Sequence, residues 1–270
     1  MALIIIGIIL VALGVYLAVF QRAKSANVAL EIQAQPTKTY DEVKEALDAM
    51  QDYDPNYREM VEFKGFADSS QPVITPYSNQ KVAYYIAENI QVSETTEEYR
   101  DSQGNRKIKT TKHEDKLSEE ESNADLLVKD NAGNEIVIET NGVSGKIDLL
   151  TTLDRLDRSN TEAHRRSSAY NFRRFNAPSY NGTGYRILGY KMVEKTIPLH
   201  SAMYVLGEAY MMAGKIYIGP PKDGKSPYIV TTRSEEQLLK SKQSSQTTSL
   251  VGGLACAVLG LVLFIVGIAK

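Results

Sequence analysis

Two long stretches without a charged side chain, residues 2–20 and 250–269, stand at opposite ends of this 270-residue chain. Each is long enough, wound as a helix, to cross a hydrocarbon core of about 30 Å. The apolar residues, 43% of the total, are therefore concentrated in two places rather than spread through one globular core. All 33 acids, and all but Lys270 of the 31 bases, lie between the two stretches. That middle, roughly 230 residues and close to charge-neutral, is large enough to fold around a core of its own. A soluble cytosolic enzyme is excluded. A dedicated nucleic-acid binder is disfavoured, because it would carry a strong basic excess. The only cysteine, Cys256, lies in the second stretch, so the composition offers neither a disulfide framework nor a cysteine-rich zinc site. The expectation is a two-pass integral membrane protein with one central domain and no cofactor.

A cleaved signal peptide needs a basic start and a shorter apolar run. Met1-Ala2-Leu3 offers only its α-amine, so the first helix, residues 1–21, is expected to stay as an anchor. The second spans residues 249–270. It carries Gly252, Cys256 and Gly260 at intervals of four, with Gly253 and Ala257 alongside. Small residues so spaced let two backbones approach in lipid, where apolar burial gives no drive to associate. The partner is either the first anchor, through Gly7 and Gly14, or a second copy, which makes a homo-oligomer through this helix a possibility. Arg22, Lys24, Lys240 and Lys242 flank the helices on the domain side, against Lys270 alone outside. By the positive-inside rule the domain faces the cytoplasm, with a periplasmic or lumenal placement as the alternative.

Within the middle, Thr39-Tyr-Asp-Glu42 has the form of a capping box. Val43, Leu47 and Met50 follow at helical spacing, which predicts a short amphipathic helix over 37–52. From residue 58 to 234 the texture is that of strands. Residues 81–99 and 106–114, joined by Ser102-Gln-Gly-Asn105, read as a long and largely solvated hairpin. Residues 125–129 and 135–139, around Asp130-Asn-Ala-Gly-Asn134, read as a second hairpin. Further strands are expected at 185–195, 203–210, 215–218 and 228–232, and a helical lead-in over 235–248. The fold class is therefore mostly β, an antiparallel sandwich or barrel with a little helix, flanked by two transmembrane helices.

Few motifs carry chemistry. Six arginines, among them Arg165, Arg166, Arg173 and Arg174, crowd residues 155–174 with Tyr170, Phe172 and Phe175 between them. They are candidates for contact with anionic lipid, in preference to nucleic acid, or else form a solvated face. Gly219-Pro-Pro-Lys-Asp-Gly224-Lys225-Ser226 matches a phosphate-loop pattern, but Pro227 and a β-prone run follow where a helix is required. The pattern reads as a tight turn. His113, His164 and His200 are scattered, Ser144 lacks a nucleophile-elbow sequence, and Glu119-Glu120-Glu121 reads as a solvated turn. Neither a catalytic nor a metal-ligating constellation emerges.

The order of short motifs is more specific: Val61-Glu-Phe-Lys-Gly65, Pro76-Tyr77-Ser78, Val82-Ala-Tyr-Tyr85 with Glu88 after it, Ile197-Pro198-Leu199, and Tyr204-Val-Leu-Gly-Glu208, between two anchors. This resembles the GIDE, or "beside a membrane" (BAM), domain of organellar RING-type E3 ubiquitin ligases and their bacterial relatives. The resemblance implies a domain that recognises a partner protein or ligand beside the bilayer. It makes Pro76, Tyr77, Tyr84, Tyr85, Glu88, Gly207 and Glu208 candidates for that surface, alongside a structural reading as core and bulge residues. The alternative it implies is an E3-ligase-like component in membrane protein quality control or organelle organisation. Only Lys270 follows the second stretch, and one Cys with three His falls short of the roughly eight ligands of a two-zinc RING. The expected role is therefore binding without catalysis, toward the lipid bilayer and a membrane-proximal protein and not toward nucleic acid.

Overall fold

A computed structural model describes residues 2–141, 147–159, 172–176 and 184–268. Strand residues outnumber helical ones, 42% against 32%, so the chain is mostly β. At the N-terminus α1 (Ala2–Val15), a π-helical turn (Tyr16–Gln21) and α2 (Arg22–Ala34) run on without a break. The helix thus extends 13 residues past the expected anchor. No glycine or proline interrupts that extension until Pro36 stops it. Helix α3 (Tyr40–Gln51) begins at the expected capping box, with the Glu42 amide donating to Thr39 Oγ1 and the Thr39 amide to the Glu42 carboxylate. Helix α4 (Glu235–Ile268) fuses the predicted lead-in and the second anchor into 34 residues. The first and last helices are both long and apolar enough to cross a membrane.

These two helices meet, antiparallel, along a glycine seam. A Cβ on Gly7 would stand 2.7 Å from the Gly260 carbonyl oxygen, and one on Gly14 would stand 2.6 Å from that of Gly253. Both pairs repeat after seven residues, so one face of each helix supplies the seam. The sequence reading is corrected in one respect. Gly260 lies in the seam, but its companion is Gly253, because a Cβ on Gly252 would meet open space. Cys256 is half-buried and is a free thiol. The partner is the first helix of the same chain.

The strands form two sheets. Strands β1 (Glu59–Ser69), β5 (Leu126–Lys129), β6 (Glu135–Ile138), β12 (Lys215–Gly219) and β11 (Ala202–Met212) follow one another in that order. Pairing of β1 with β11 closes them into a five-stranded barrel, and β13 (Ile229–Thr231) and β7 (Ile147–Asp148) extend the sheet beyond β11. The second sheet has the order β8 (Leu150–Asp157), β10 (Arg186–Pro198), β3 (Lys81–Arg100), β4 (Arg106–Glu121) and β9 (Arg173–Arg174). There β2 (Val73–Ile74) pairs with β3.

The chain divides into two compact units, one of residues 1–64, 204–211 and 218–270, the other of residues 65–203 and 212–217. In the first, Ile32 of α2 and Leu238 of α4 pack with Tyr204 and Leu206 of β11. In the second, Tyr77, Val82, Tyr85, Ala87 and Met192 form a core cluster.

Two local expectations change. The β3–β4 hairpin is solvated only toward its tip, because β10 pairs with β3 as far as Arg186 opposite Glu94 and buries Tyr84 and Ala87 completely. The run Glu119-Glu120-Glu121 is the end of β4, not a turn.

Inserting a side chain into a packed contact costs about 1–3 kcal/mol. Gly14→Leu or Gly253→Leu is therefore expected to lower the stability of the detergent-solubilised protein by that amount, and Gly252→Leu to leave it unchanged. Thermal unfolding of the three variants checks this. Equal loss at all three positions would contradict the seam.

Candidate functional site

Along β1 the side chains alternate, so Val61 and Phe63 enter the apolar core while Glu62 and Lys64 share the other face. Glu62 is only 1% exposed. Its carboxylate accepts from Thr37 Oγ1, from the Tyr204 hydroxyl at 2.7 Å and from Lys64 at 2.9 Å. Lys64 goes on to Glu235, in the first turn of α4, at 2.8 Å and to Thr37 at 3.0 Å. Burial works against the charge of Lys64, but the bonds to Glu235 and Glu62 outweigh it and raise its pKa. Burial, then the bond to Glu62, raises the pKa of the Tyr204 phenol. The motifs around residues 61–65 and 204–208 thus meet in one polar lock that fastens the start of α4 and the segment after α2 to the strands.

Glu208 makes a second fastening. It accepts from the Lys222 amide at 3.1 Å and pairs with Arg58 at 3.8 Å, and the Arg58 guanidinium lies 4.0 Å over the Tyr210 ring. Gly207 lies within β11, where a Cβ would stand 2.7 Å from the Gly219 carbonyl oxygen. The requirement is for a small residue at a close strand approach.

In the second unit, Glu194 is fully buried and accepts from the Tyr77 and Ser78 amides and the Ser78 hydroxyl. This holds the Pro76-Tyr77-Ser78 turn, with Asn79 behind it in the left-handed region at φ 57°, which asparagine tolerates. The Tyr77 ring packs on Phe172 at 5.8 Å, and burial, then the nearby Glu194, raises its phenol pKa. Tyr84 donates to Glu121. Glu88 bridges Lys116 of β4 and Lys195 of β10, the latter at 3.0 Å. Desolvation pushes the Glu88 pKa up, but the two lysines outweigh it and lower it. Lys116 continues to Glu119, which Arg173 meets at 3.1 Å.

Of the residues proposed for a partner surface, Pro76, Tyr77, Tyr84, Tyr85, Glu88 and Gly207 are buried, and Glu208 is half-buried. Of the arginines, Arg173 stacks on Phe175 at 4.9 Å, Arg174 is exposed on β9, and Arg165 and Arg166 lie outside the described residues. Glu62, Lys64 and Glu194 were missed as functional positions. Nothing in the sequence separates them from solvated charges, because their burial depends on distant strands.

The stretch 219–226 is a turn leading into β13. Asp223 accepts from the Lys225 and Ser226 amides at 2.8 and 3.0 Å, so the loop's own carboxylate occupies the donors a phosphate would need. Among the described residues no group of three or more His, Cys, Asp or Glu is arranged to hold a metal ion.

The class these features define is a mostly β chain with a pair of helices long and apolar enough to cross a membrane, bonded to β1 and β11. A family model described as GIDE, E3 Ubiquitin ligase, matches residues 94–264, more than half of the chain. The chain belongs to the GIDE family. The match takes in the motifs at 197–199 and 204–208, whereas those at 61–65, 76–78 and 82–85 precede it. No curated protein and no solved structure matches significantly.

Tyr204→Phe removes a donor from a buried carboxylate, with an expected loss of about 1.5–3 kcal/mol in chemical denaturation. The depressed pKa of Glu88 means that its ionised form stabilises the fold above the ordinary carboxylate range and that this contribution is lost as pH falls below it. Glu88→Gln is accordingly expected to cost about 1–2 kcal/mol at pH 7 and less at pH 3. Urea unfolding at the two pH values reads the difference.

Proposed function

We propose that this chain is a membrane-anchored recognition module of the GIDE family, which holds a β domain beside the bilayer to bind a partner protein and has no ligase chemistry of its own. The observation that carries this reading is the lock of Glu62, Lys64, Tyr204 and Glu235. Through it, the start of α4 and the segment after α2, each continuing a helix of membrane-spanning length, are bonded to β1 and β11. Beyond the length a bilayer requires, the N-terminal helix continues through the 13 residues of α2, a rise of about 20 Å. There Ser25 and Ser245 face each other at 3.4 Å. On this reading the helix pair is a spacer as well as an anchor. It keeps its strands a set distance from the lipid surface and raises the local concentration of membrane partners.

The family description favours a second reading, an E3-ligase-like component. One Cys and three His within these 270 residues do not supply a RING, so ligase activity would require zinc ligands from outside these residues. Charge flanking the helices supports a cytoplasmic domain.

Two measurements test the proposal. The full chain in nanodiscs, given ubiquitin-activating and -conjugating enzymes, is expected to form no ubiquitin conjugates. Conjugation with this chain alone would establish the ligase reading. An epitope in the Ser102–Asn105 turn, in sealed membranes with the cytoplasmic face inside, is expected to survive protease until lysis. Its loss from intact membranes would place the domain on the opposite side.

A further inference from the structure

The β3–β4 ribbon has two open edges of opposite charge. Pairing with β10 stops at Glu94 opposite Arg186, and β9 meets β4 only at Ser118 and Glu119. Gly184 backs onto Thr96 and closes the β3 edge to that point. Beyond it, residues 97–100 and 106–109 form a two-stranded ribbon in regular register, with no third strand among the described residues. A two-stranded ribbon is marginally stable in water by itself. This one also leaves Tyr99 48% and Ile108 68% exposed, one on each face. Its charges differ between the strands. Glu97 and Glu98 lie on the free stretch of β3, with Arg100 at its end, while Arg106, Lys107 and Lys109 lie on that of β4 with no acid among them, Lys107 also meeting Asp101 of the turn at 3.1 Å.

We propose that the acidic β3 edge of one copy pairs with the basic β4 edge of the next, so that GIDE domains of this chain assemble side by side through a shared sheet. Strand direction permits it. With ribbons pointing the same way, β4 of one copy runs antiparallel to β3 of its neighbour, so the sheet continues with its regular alternation. Copies anchored in one membrane meet at high local concentration, and the inference rests on the anchored reading above for this point alone. Like-with-like pairing would set bases against bases, which excludes a two-fold β4–β4 contact. The contact is heterologous and generates rings or rows. It is short, so co-anchoring in one bilayer supplies the effective concentration that makes it form. The glycine seam of the helices is filled within each chain, which leaves assembly to the ribbon.

The experiment uses the full chain at high density in liposomes. Equal amounts of unlabelled and nitrogen-15-labelled protein are joined by a carbodiimide that links carboxylates to amines in contact. The expected result is mixed-isotope crosslinks between the peptide holding Glu97 and Glu98 and those holding Lys107 and Lys109. Glu97→Lys/Glu98→Lys and, separately, Lys107→Glu/Lys109→Glu are each expected to reduce these links at least about tenfold, because like charges then face each other. Mixing the two variants restores them between unlike copies. Circular dichroism confirms that each variant folds. Same-isotope links only, mixed-isotope links unaffected by either reversal, or no recovery on mixing would overturn the proposal. Failure here leaves the protease and ubiquitin measurements untouched, so the two readings fail separately.

Discussion

The buried carboxylate of Glu62 sets the condition on which the unit that carries both long helices depends. A charge taken out of water is tolerated only when donors surround it, and here they come from Thr37, Lys64 and Tyr204. Those three residues belong to the segment after α2, to β1 and to β11, and Lys64 adds Glu235 of α4. One buried carboxyl group therefore ties four separate stretches of chain together. The apolar packing of Ile32, Leu206 and Leu238 beside it supplies attraction without direction. The carboxylate supplies the direction, since its donors must arrive at hydrogen-bonding distance.

The same device recurs in the second unit with a different outcome. Glu194 is satisfied by two backbone amides and a hydroxyl, and so shapes a turn. Glu88 is satisfied by lysines from the strands on either side, and so ties a sheet together. The family motifs are legible in this light. Their tyrosines and glutamates are conspicuous in a β-rich sequence because they join buried polar groups. The ribbon tip, where Tyr99 and Ile108 are exposed, lies outside the motif pattern.

Within the helices the decisive residues are the smallest. Glycines seven apart on each helix allow backbone-to-backbone approach that any side chain would prevent. Such a seam suits a medium in which apolar burial is worth nothing. The polar continuation above it, through α2 and the first turns of α4, carries the same pairing out toward the strands, where Val28 and Leu239 hand it over to the apolar core.

Several features follow from sequence alone. Charge-free runs at both ends require helices long enough to cross a bilayer. Thr39 and Glu42 fix the start of α3, Asp130 and Gly133 fix a hairpin turn, and period-two alternation dictates strands between the anchors. These are legible because each depends on residues a few positions apart. Other features wait on the tertiary structure. The choice of Gly253 over Gly252 depends on the rotation of α4 against a helix more than 230 residues away. The burial of Glu62, Glu194 and Glu88 depends on which strands come to lie beside them. The continuation of the first helix to Pro36 depends on a partner helix to pack against. Charge, turn chemistry and periodicity are properties of neighbours along the chain, whereas burial and the seating of a charge are properties of neighbours in space, and only the folded chain brings those together.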